Sequence, residues 1–225
     1  YSSLTTYGND IIHNTSYGLQ SFPPAKSQYL ENTNCHFNVK TFLSGYYTSN
    51  QTMRNVLYLQ NVIASPSNQT DSIIVELHQS VSPFVKVYDT KTMLLTNGNA
   101  TVNVPLNLIG NNYYIVIKHR NSLQTWSASP VNIKAVTNYD FSTAANKAYG
   151  SQQQQVQTGI WGIYSGDIFQ DENIDLLDDA LLENDIATYQ FGYKSTDING
   201  DGNVDLLDAP VLETNVNNFI YSIHP

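Results

Sequence analysis

The sequence predicts a mainly β protein: an antiparallel β-sandwich followed by a small α-helical domain with two loops of the EF-hand type. Three observations support this prediction. About seven β-type segments lie between residues 37 and 141, a 12-residue pattern of oxygen-bearing side chains occurs twice near the C-terminus, and charge divides the chain in two. A length of 225 residues with 41% hydrophobic residues is sufficient for one medium and one small core.

The sandwich prediction rests on short segments separated by turns rich in Asn, Gly, Ser and Pro. Ile73, Val75 and Leu77 alternate with more polar neighbours, a pattern that indicates one buried face. The predicted strands are residues 37–47, 55–62, 72–79, 84–88, 100–104, 112–119 and 136–141. We therefore assign the sandwich domain to residues 36–148, followed by a connecting segment at residues 149–163.

Residues 1–35 are rich in Tyr, Ser, Thr and Asn and are interrupted by Pro23-Pro24. Apolar side chains such as Leu4, Tyr7 and Ile11 are suited to completing an open sheet edge. We expect this N-terminal arm either to pack on its own sandwich or to donate a strand to a neighbouring copy. The sequence leaves both alternatives open.

The most specific motif is the segment 197–208, Asp-Ile-Asn-Gly-Asp-Gly-Asn-Val-Asp-Leu-Leu-Asp. Oxygen-bearing side chains occupy loop positions 1, 3, 5, 9 and 12, and Gly202 at position 6 allows the positive φ that a calcium loop requires. A polar turn alone would not need carboxylates at positions 1, 9 and 12. The predicted calcium ligands are Asp197, Asn199, Asp201, Asn203 through its backbone carbonyl, Asp205 and Asp208.

The same pattern recurs thirty residues upstream at residues 167–178, which indicates an internal duplication. Two positions depart from it: Phe169 replaces the oxygen ligand of position 3, and Glu172 replaces the glycine of position 6. A non-glycine residue at positive φ costs on the order of 1 kcal/mol. We expect one strong calcium site in the second loop and either a weaker site or a vestigial loop here. The candidate ligands of the first loop are Asp167, Asp171, Asn173, Asp175 and Asp178.

Charge separates the same two regions. Residues 166–225 carry a net charge of −12, and residues 1–165 carry +3. Carboxylates crowded together repel one another unless cations neutralise them, so this balance agrees with bound calcium. Nucleic acid is not an expected partner, because the chain has no basic patch.

Two tandem loop-helix units of this kind resemble a type I dockerin over residues 164–225. Residues 112–127 and 161–167 likewise resemble a β-sandwich module that precedes dockerin-like repeats in secreted bacterial surface proteins. The resemblance implies a domain that folds on binding calcium, and cellulosomal dockerins bind cohesin modules. Loop positions 10 and 11 carry much of that recognition in the family. Here they are Leu176-Leu177 and Leu206-Leu207, where many dockerins have hydroxyl residues.

The leucine pairs allow two interpretations. They either contact a cohesin-like partner or pack against the upstream domain of the same chain. The sequence does not decide between them.

Catalytic motifs with a known mechanism are absent from the sequence, including Gly-x-Ser-x-Gly, His-Glu-x-x-His and phosphate-binding glycine loops. Cys35 and His36 are adjacent, so their side chains should lie on opposite faces of a strand. His119 and Arg120 are expected to have a structural role at a turn. We therefore expect a protein without enzymatic activity.

Export is the expected destination, because moderate calcium loops need the millimolar calcium found outside cells. The first residue is Tyr rather than Met, which we interpret as a processed, secreted chain, and no apolar run approaches the ~20 residues of a transmembrane helix. We expect a secreted structural protein that assembles with copies of itself through the N-terminal arm into a fibre or surface layer. The alternatives are a docking module for a cohesin-like partner and a carbohydrate-binding module that presents surface Tyr and Trp.

Overall fold

The computed structural model describes residues 35–60 and 66–225, together with the backbone of three strands in the first 22 residues. The chain divides into two compact units, Tyr1–Thr33 and Asn34–Pro225. In the first unit, β1 (Leu4–Tyr7), β2 (Asp10–Thr15) and β3 (Gly18–Phe22) form an antiparallel sheet in the order β1-β2-β3. The predicted arm is therefore a three-stranded meander instead of one extended strand. Whether this unit joins copies of the chain stays a prediction.

The second unit is rich in short strands and has few helices. Its elements are β4 (Cys35–Lys40), β5 (Tyr47–Ser49), β6 (Thr52–Met53), α1 (Val56–Leu59), β7 (Gln69–Gln79), β8 (Lys86–Leu95), β9 (Asn99–Val104), β10 (Asn112–His119), β11 (Ser122–Trp126), β12 (Val131–Asn132), β13 (Val136–Asp140), β14 (Gln154–Gln157), β15 (Ile160–Gly162), α2 (Leu176–Ala187) and α3 (Ala209–Asn217). The prediction of a mainly β fold is confirmed.

Two sheets of this unit share one hydrophobic core. The larger sheet has the strand order β11-β10-β7-β8 with β12 paired to β10, and the smaller sheet has the order β13-β4-β9. Ile73, Val75 and Ile115 of the larger sheet belong to the same buried cluster as Phe37 and Val102 of the smaller sheet. The alternation predicted for residues 72–79 is confirmed, because Ile73, Val75 and Leu77 are all buried.

The prediction of a wholly antiparallel sandwich is wrong at one strand pair. β4 and β13 run parallel, with Val136 opposite His36 and Asp140 opposite Lys40. A parallel pair needs a long crossover, and here the chain between the two strands forms the whole of the larger sheet. The alternation of side chains within a strand is the same for both directions, so the sequence carried no local sign of it.

The strand predicted at residues 55–62 is also wrong. Residues Val56–Leu59 form the short helix α1, and residues 61–65 lie outside the described residues. Val56 and Leu57 are buried whereas Tyr58 and Leu59 are exposed. The β-type composition of this run was overridden by packing, because burying two adjacent side chains on one side does not suit the alternation of a strand.

The C-terminal region packs directly on the larger sheet. Ile174, Leu182, Ile198 and Leu212 form a second core together with Leu123 of β11. Residues 34–225 are thus one compact unit, and its further division at residues 148 and 164 stays a prediction. Within the described residues, no helix has the length and apolar character needed to cross a membrane.

Candidate calcium loops

The two predicted loops have the same backbone shape. Positive φ angles occur at loop position 6, where Glu172 has φ 74° and Gly202 has φ 91°. They also occur at position 4, where Gln170 has φ 61° and Gly200 has φ 76°. The prediction for position 6 is confirmed, and position 4 is an additional requirement that we did not predict. Since Gln170 and Glu172 are not glycines, the first loop carries backbone strain of about 1–2 kcal/mol at each position.

Asp197, at position 1 of the second loop, is the central acceptor of that loop. Its Oδ1 accepts hydrogen bonds from the backbone N–H groups of Gly200 (2.9 Å) and Asp201 (3.1 Å), and its Oδ2 accepts one from Gly202 (3.1 Å). The buried carboxylate therefore holds the middle of the loop around itself. This arrangement depends on the positive φ of the two glycines, which turns their N–H groups inward.

Asp208, at position 12, connects the two ends of the second loop. Its Oδ1 accepts hydrogen bonds from the N–H groups of Ile198 (2.7 Å) and Asn199 (2.9 Å), and its Oδ2 accepts one from Asp205 (3.0 Å). Asp178 of the first loop repeats these three bonds. Its partners are Ile168 (2.7 Å), Phe169 (2.8 Å) and Asp175 (2.9 Å). In both loops, the acid at position 12 therefore bonds to the backbone directly after the acid at position 1.

The other predicted ligands accept hydrogen bonds from N–H groups two residues ahead, as in Asx turns. The acceptors and donors are Asn199 and Asp201 (2.9 Å), Asp201 and Asn203 (2.9 Å), Asp205 and Leu207 (2.8 Å), Asp171 and Asn173 (3.1 Å), and Asp175 and Leu177 (2.8 Å). Asn173 and Asn203, at position 7, form β-bridges with Tyr221 and Phe191. Each loop therefore pairs through its backbone with the segment that follows the helix of the other repeat.

The first and twelfth acids of both loops are buried, and burial raises their pKa values. The pKa of Asp167 rises to about 7 and that of Asp208 to about 6, and the pKa values of Asp178 and Asp197 are also raised. Among the described residues, none of the four acids lies within ion-pair distance of a Lys, Arg or His side chain. Aspartates are rarely buried without such a partner or a metal ion.

The donor set fits calcium. Carboxylate and carbonyl oxygens are the ligands that this cation takes, and Asp167 Oδ1 is a buried oxygen without a hydrogen-bond partner in the described structure. Within the described residues, no three His, Cys, Asp or Glu side chains already converge as a preformed metal cluster. The carboxylates of Asp178, Asp197 and Asp208 bond to backbone N–H groups instead. The first loop lacks an oxygen at position 3, where Phe169 is exposed.

Two side chains of the sandwich donate hydrogen bonds to the second loop, and a third donates one to the segment just before it; sequence reasoning missed all three contacts. Gln60 Nε2 donates a hydrogen bond to Asp197 Oδ2, and Asn121 Nδ2 donates one to the backbone oxygen of Asp197 (3.1 Å). Arg120 donates a hydrogen bond to the backbone oxygen of Lys194. These contacts join residues more than 70 positions apart, so no local sequence pattern signals them.

Arg120 also belongs to a buried ion-pair network at the turn between β10 and β11. Asp71 accepts hydrogen bonds from Arg120 Nε (3.0 Å) and the Tyr193 hydroxyl (2.5 Å), and its Oδ2 lies 3.1 Å from His119 Nε2. Burial alone would raise the pKa of Asp71, but His119 and Arg120 hold it well below its usual value. This network fixes the C-terminal region to the sheet, in agreement with the structural role expected for His119 and Arg120.

The leucines at loop positions 10 and 11 are exposed. The exposed fractions are 71% for Leu176, 52% for Leu177, 74% for Leu206 and 67% for Leu207. The interpretation that these pairs pack against the upstream domain is therefore wrong. The second core instead contains Leu182 of α2 and Leu212 of α3. Beside Leu176, an apolar groove of about 500 Å³ is lined by Val216, Phe219, Ile220 and Tyr221, among others.

No protein-family model and no curated protein matches the chain. Among solved structures, the chain is similar to an N-terminal interface mutant of a type II cohesin–X–dockerin complex from Acetivibrio cellulolyticus, with 15% identity, 82% of this chain and 97% of that chain covered, and a TM-score of 0.47. A second similarity, to S.CueP, has 8% identity, covers 61% and 74% of the two chains, and has a TM-score of 0.25. A TM-score below 0.5 does not establish a shared fold, so neither similarity supports an inference.

Proposed function

We propose that the chain is a secreted, non-enzymatic docking protein whose C-terminal calcium-loop region binds a protein partner. The observation that supports this proposal is the exposure of Leu176-Leu177 and Leu206-Leu207 at matching positions of both repeats. The aligned residues Leu182 and Leu212 are buried, so the duplication keeps one apolar face inside and another in solvent. Exposed apolar surface of this kind is typical of protein interfaces.

Four aromatic residues are also exposed in the two repeats, and Phe219 and Tyr221 line the groove beside Leu176. Tyr189 and Phe191 after α2, and Phe219 and Tyr221 after α3, are all exposed. Aromatic side chains are enriched at interface hot spots. We infer a partner with an apolar, sheet-like surface, and the resemblance of the loops to type I dockerins favours a cohesin-like module.

Calcium has a structural part in this function. Leu176 and Leu206 directly follow Asp175 and Asp205, so the position of the leucines depends on the conformation of the loops. When bound, calcium neutralises the buried acids and holds the first and last residues of each loop together. The carboxylates would coordinate the ion, and backbone N–H groups orient the carboxylates of Asp178, Asp197 and Asp208. We therefore expect partner binding to require calcium.

The test is a binding titration against a panel of purified cohesin modules, in calcium and in excess chelator. We expect at least one module to bind the chain in calcium, and we expect this binding to disappear in chelator. Leu206→Ser combined with Leu207→Ser should weaken binding at least tenfold, because truncating hot-spot side chains costs about 2 kcal/mol or more. The matched control replaces Leu106 and Val136, two exposed apolar residues elsewhere, with Ser.

Unchanged affinity in the Leu206 and Leu207 variant, or equal losses in the control, would contradict a role for the exposed leucines. If a module bound equally tightly in chelator, partner binding would not require calcium. Absence of binding to every module in the panel would remove the cohesin-like assignment of the partner.

Self-assembly remains a second candidate function. It is favoured by the separate three-stranded sheet of the first unit, in which β1 and β3 are the outer strands. Light scattering should then show homomeric particles for the full chain in calcium and a monomer after deletion of residues 1–33. A full chain that is monomeric in both calcium and chelator would exclude this function.

A further inference from the structure

Gln60 is a sandwich residue whose side chain reaches into the second calcium loop. It is the C-cap residue of α1, where its backbone N–H donates to the carbonyl of Val56 (3.0 Å). Its side-chain Nε2 donates to Oδ2 of Asp197, which lies 137 positions further along the chain. The amide therefore connects the sandwich with position 1 of the loop.

The same side chain covers position 6 of the loop. A Cβ atom added to Gly202 would lie 3.5 Å from Gln60 Cγ and 3.8 Å from both Cδ and Nε2. Gly202 has a positive φ and donates its N–H to Asp197 Oδ2. The Gln60 side chain therefore lies against the glycine that shapes this part of the loop. Gln60 contributes one of the four N–H donors that hold the Asp197 carboxylate, and the other three belong to the loop itself.

The first loop has no equivalent contact among the described residues. Asp167 occupies the same position as Asp197, but its Oδ1 is buried without a hydrogen-bond partner there. Gln170 Nε2 bonds to the backbone oxygen of Asp167 (2.5 Å) and not to its carboxylate. The two loops therefore differ in whether a residue outside the loop orients the first acid, which provides an internal control.

We propose that Gln60 is a positioning residue for calcium in the second loop, so that this site is completed by the sandwich. The inference rests on the proposed function in that it takes the loops to bind calcium. A carboxylate that is already oriented loses less freedom when it becomes a ligand, and outer-shell partners of this kind typically contribute 10–100-fold to metal affinity. Occupancy of the second loop is thereby coupled to the conformation of the sandwich around α1.

Gln60 has a second possible role, as a direct calcium ligand through its side-chain oxygen, and the experiment distinguishes this role from positioning. Gln60 Oε1 is buried and has no hydrogen-bond partner in the described structure. The nitrogen and oxygen of an amide are assigned from their partners, and the reversed amide would present Oε1 to the ion as a direct ligand. Gln60→Glu distinguishes the roles, since a carboxylate cannot donate to Asp197 but is a good calcium ligand.

The experiment is isothermal titration of the metal-free full chain with calcium alone, without any partner. Gln60→Met keeps the length of the side chain and removes both polar atoms. We expect it to weaken the tighter calcium site about 10–100-fold and to leave the weaker site unchanged. Gln60→Glu should also weaken the tighter site. Gln155→Met, at an exposed glutamine of β14, is the matched control and should bind as the unaltered chain does.

The Asp208→Ala background tests whether the effect of Gln60→Met on calcium affinity belongs to the second loop. In Asp208→Ala, where the second loop is disabled, Gln60→Met should change calcium affinity no further. Melting in chelator checks that each variant folds. Unchanged affinity in Gln60→Met, or stronger binding in Gln60→Glu, would overturn the positioning role. If the unaltered chain bound no calcium, the calcium premise of the proposed function would fail as well; a failure confined to Gln60 would leave that function intact.

Discussion

The buried aspartates are the residues on which the two loops depend. Sequence spacing predicted all four of them, Asp167, Asp178, Asp197 and Asp208, because the 12-residue pattern places them at the first and last positions of each repeat. Hydrogen bonds from backbone N–H groups to Asp178, Asp197 and Asp208 offset part of the cost of their burial. The remaining cost is visible in their raised pKa values.

These pKa values predict how stability changes with pH in the absence of calcium. The pKa is about 7 for Asp167 and about 6 for Asp208, whereas an unfolded Asp titrates near ~4. The folded chain therefore binds these protons more tightly than the unfolded chain does. Their stabilising effect is complete below pH ~4 and is lost as the pH rises through about 6 and 7. Thermal melts of metal-free protein should show this loss between pH 5 and 8.

Asp167→Asn provides the control, because it cannot ionise and should lose less stability over that range. Calcium binds the ionised carboxylates, so the stabilisation that calcium adds should grow from pH 5 to 8. Equal pH dependence in Asp167→Asn and in the unaltered chain would show that the buried acid does not titrate in this range.

At the scale of elements, the two repeats differ in where their helices begin. α2 starts at Leu176, and Asp175 and Asp178 form a capping box at its N-terminus. α3 starts only at Ala209, although Asp205 and Asp208 occupy the matching positions. Pro210 replaces Ala180 of the first repeat, and proline has no N–H to donate to the carbonyl four residues earlier. Leu206-Leu207 therefore lie in a turn, whereas Leu176-Leu177 lie in a helix.

This difference predicts reciprocal effects of two substitutions. Pro210→Ala should move the start of α3 towards Leu206, and Ala180→Pro should shorten α2 and destabilise the chain by up to ~3 kcal/mol. Hydrogen exchange at the amides of residues 206–211 and 176–181 measures both helix starts. Faster exchange at α3 in Pro210→Ala, or an undisturbed α2 in Ala180→Pro, would refute proline as the cause.

Local sequence patterns predicted the structure correctly where one face of an element dominates its packing. The alternation in β7 was of this kind, and the two copies of the 12-residue repeat share their positive φ angles, whereas calcium binding by them stays a prediction. The helix α1 and the parallel pairing of β4 with β13 were not predictable in this way, because both depend on contacts with residues distant in sequence. The same reason hid Gln60 and Asn121, whose partners in the second loop lie 137 and 76 positions away.

At the scale of the whole unit, the sandwich and the two candidate calcium loops are packed as one structure. A Cβ atom added to Gly45 would lie 2.2 Å from the backbone oxygen of Ile198, so the chain of the sandwich runs against the second loop without room for a side chain. Leu123 of β11 belongs to the core of the loop region. Calcium binding is therefore expected to stabilise the whole unit rather than the loops alone.

A calcium titration of the metal-free chain by calorimetry, paired with thermal melts of the same samples, tests the central claim most directly. We predict one tighter and one weaker site, together with a melting temperature that rises in a single transition as calcium is added. Asp208→Ala should abolish the tighter site, because it removes a ligand and leaves three backbone N–H groups without their acceptor. No calcium binding by the unaltered chain, or an unchanged titration in Asp208→Ala, would contradict the account.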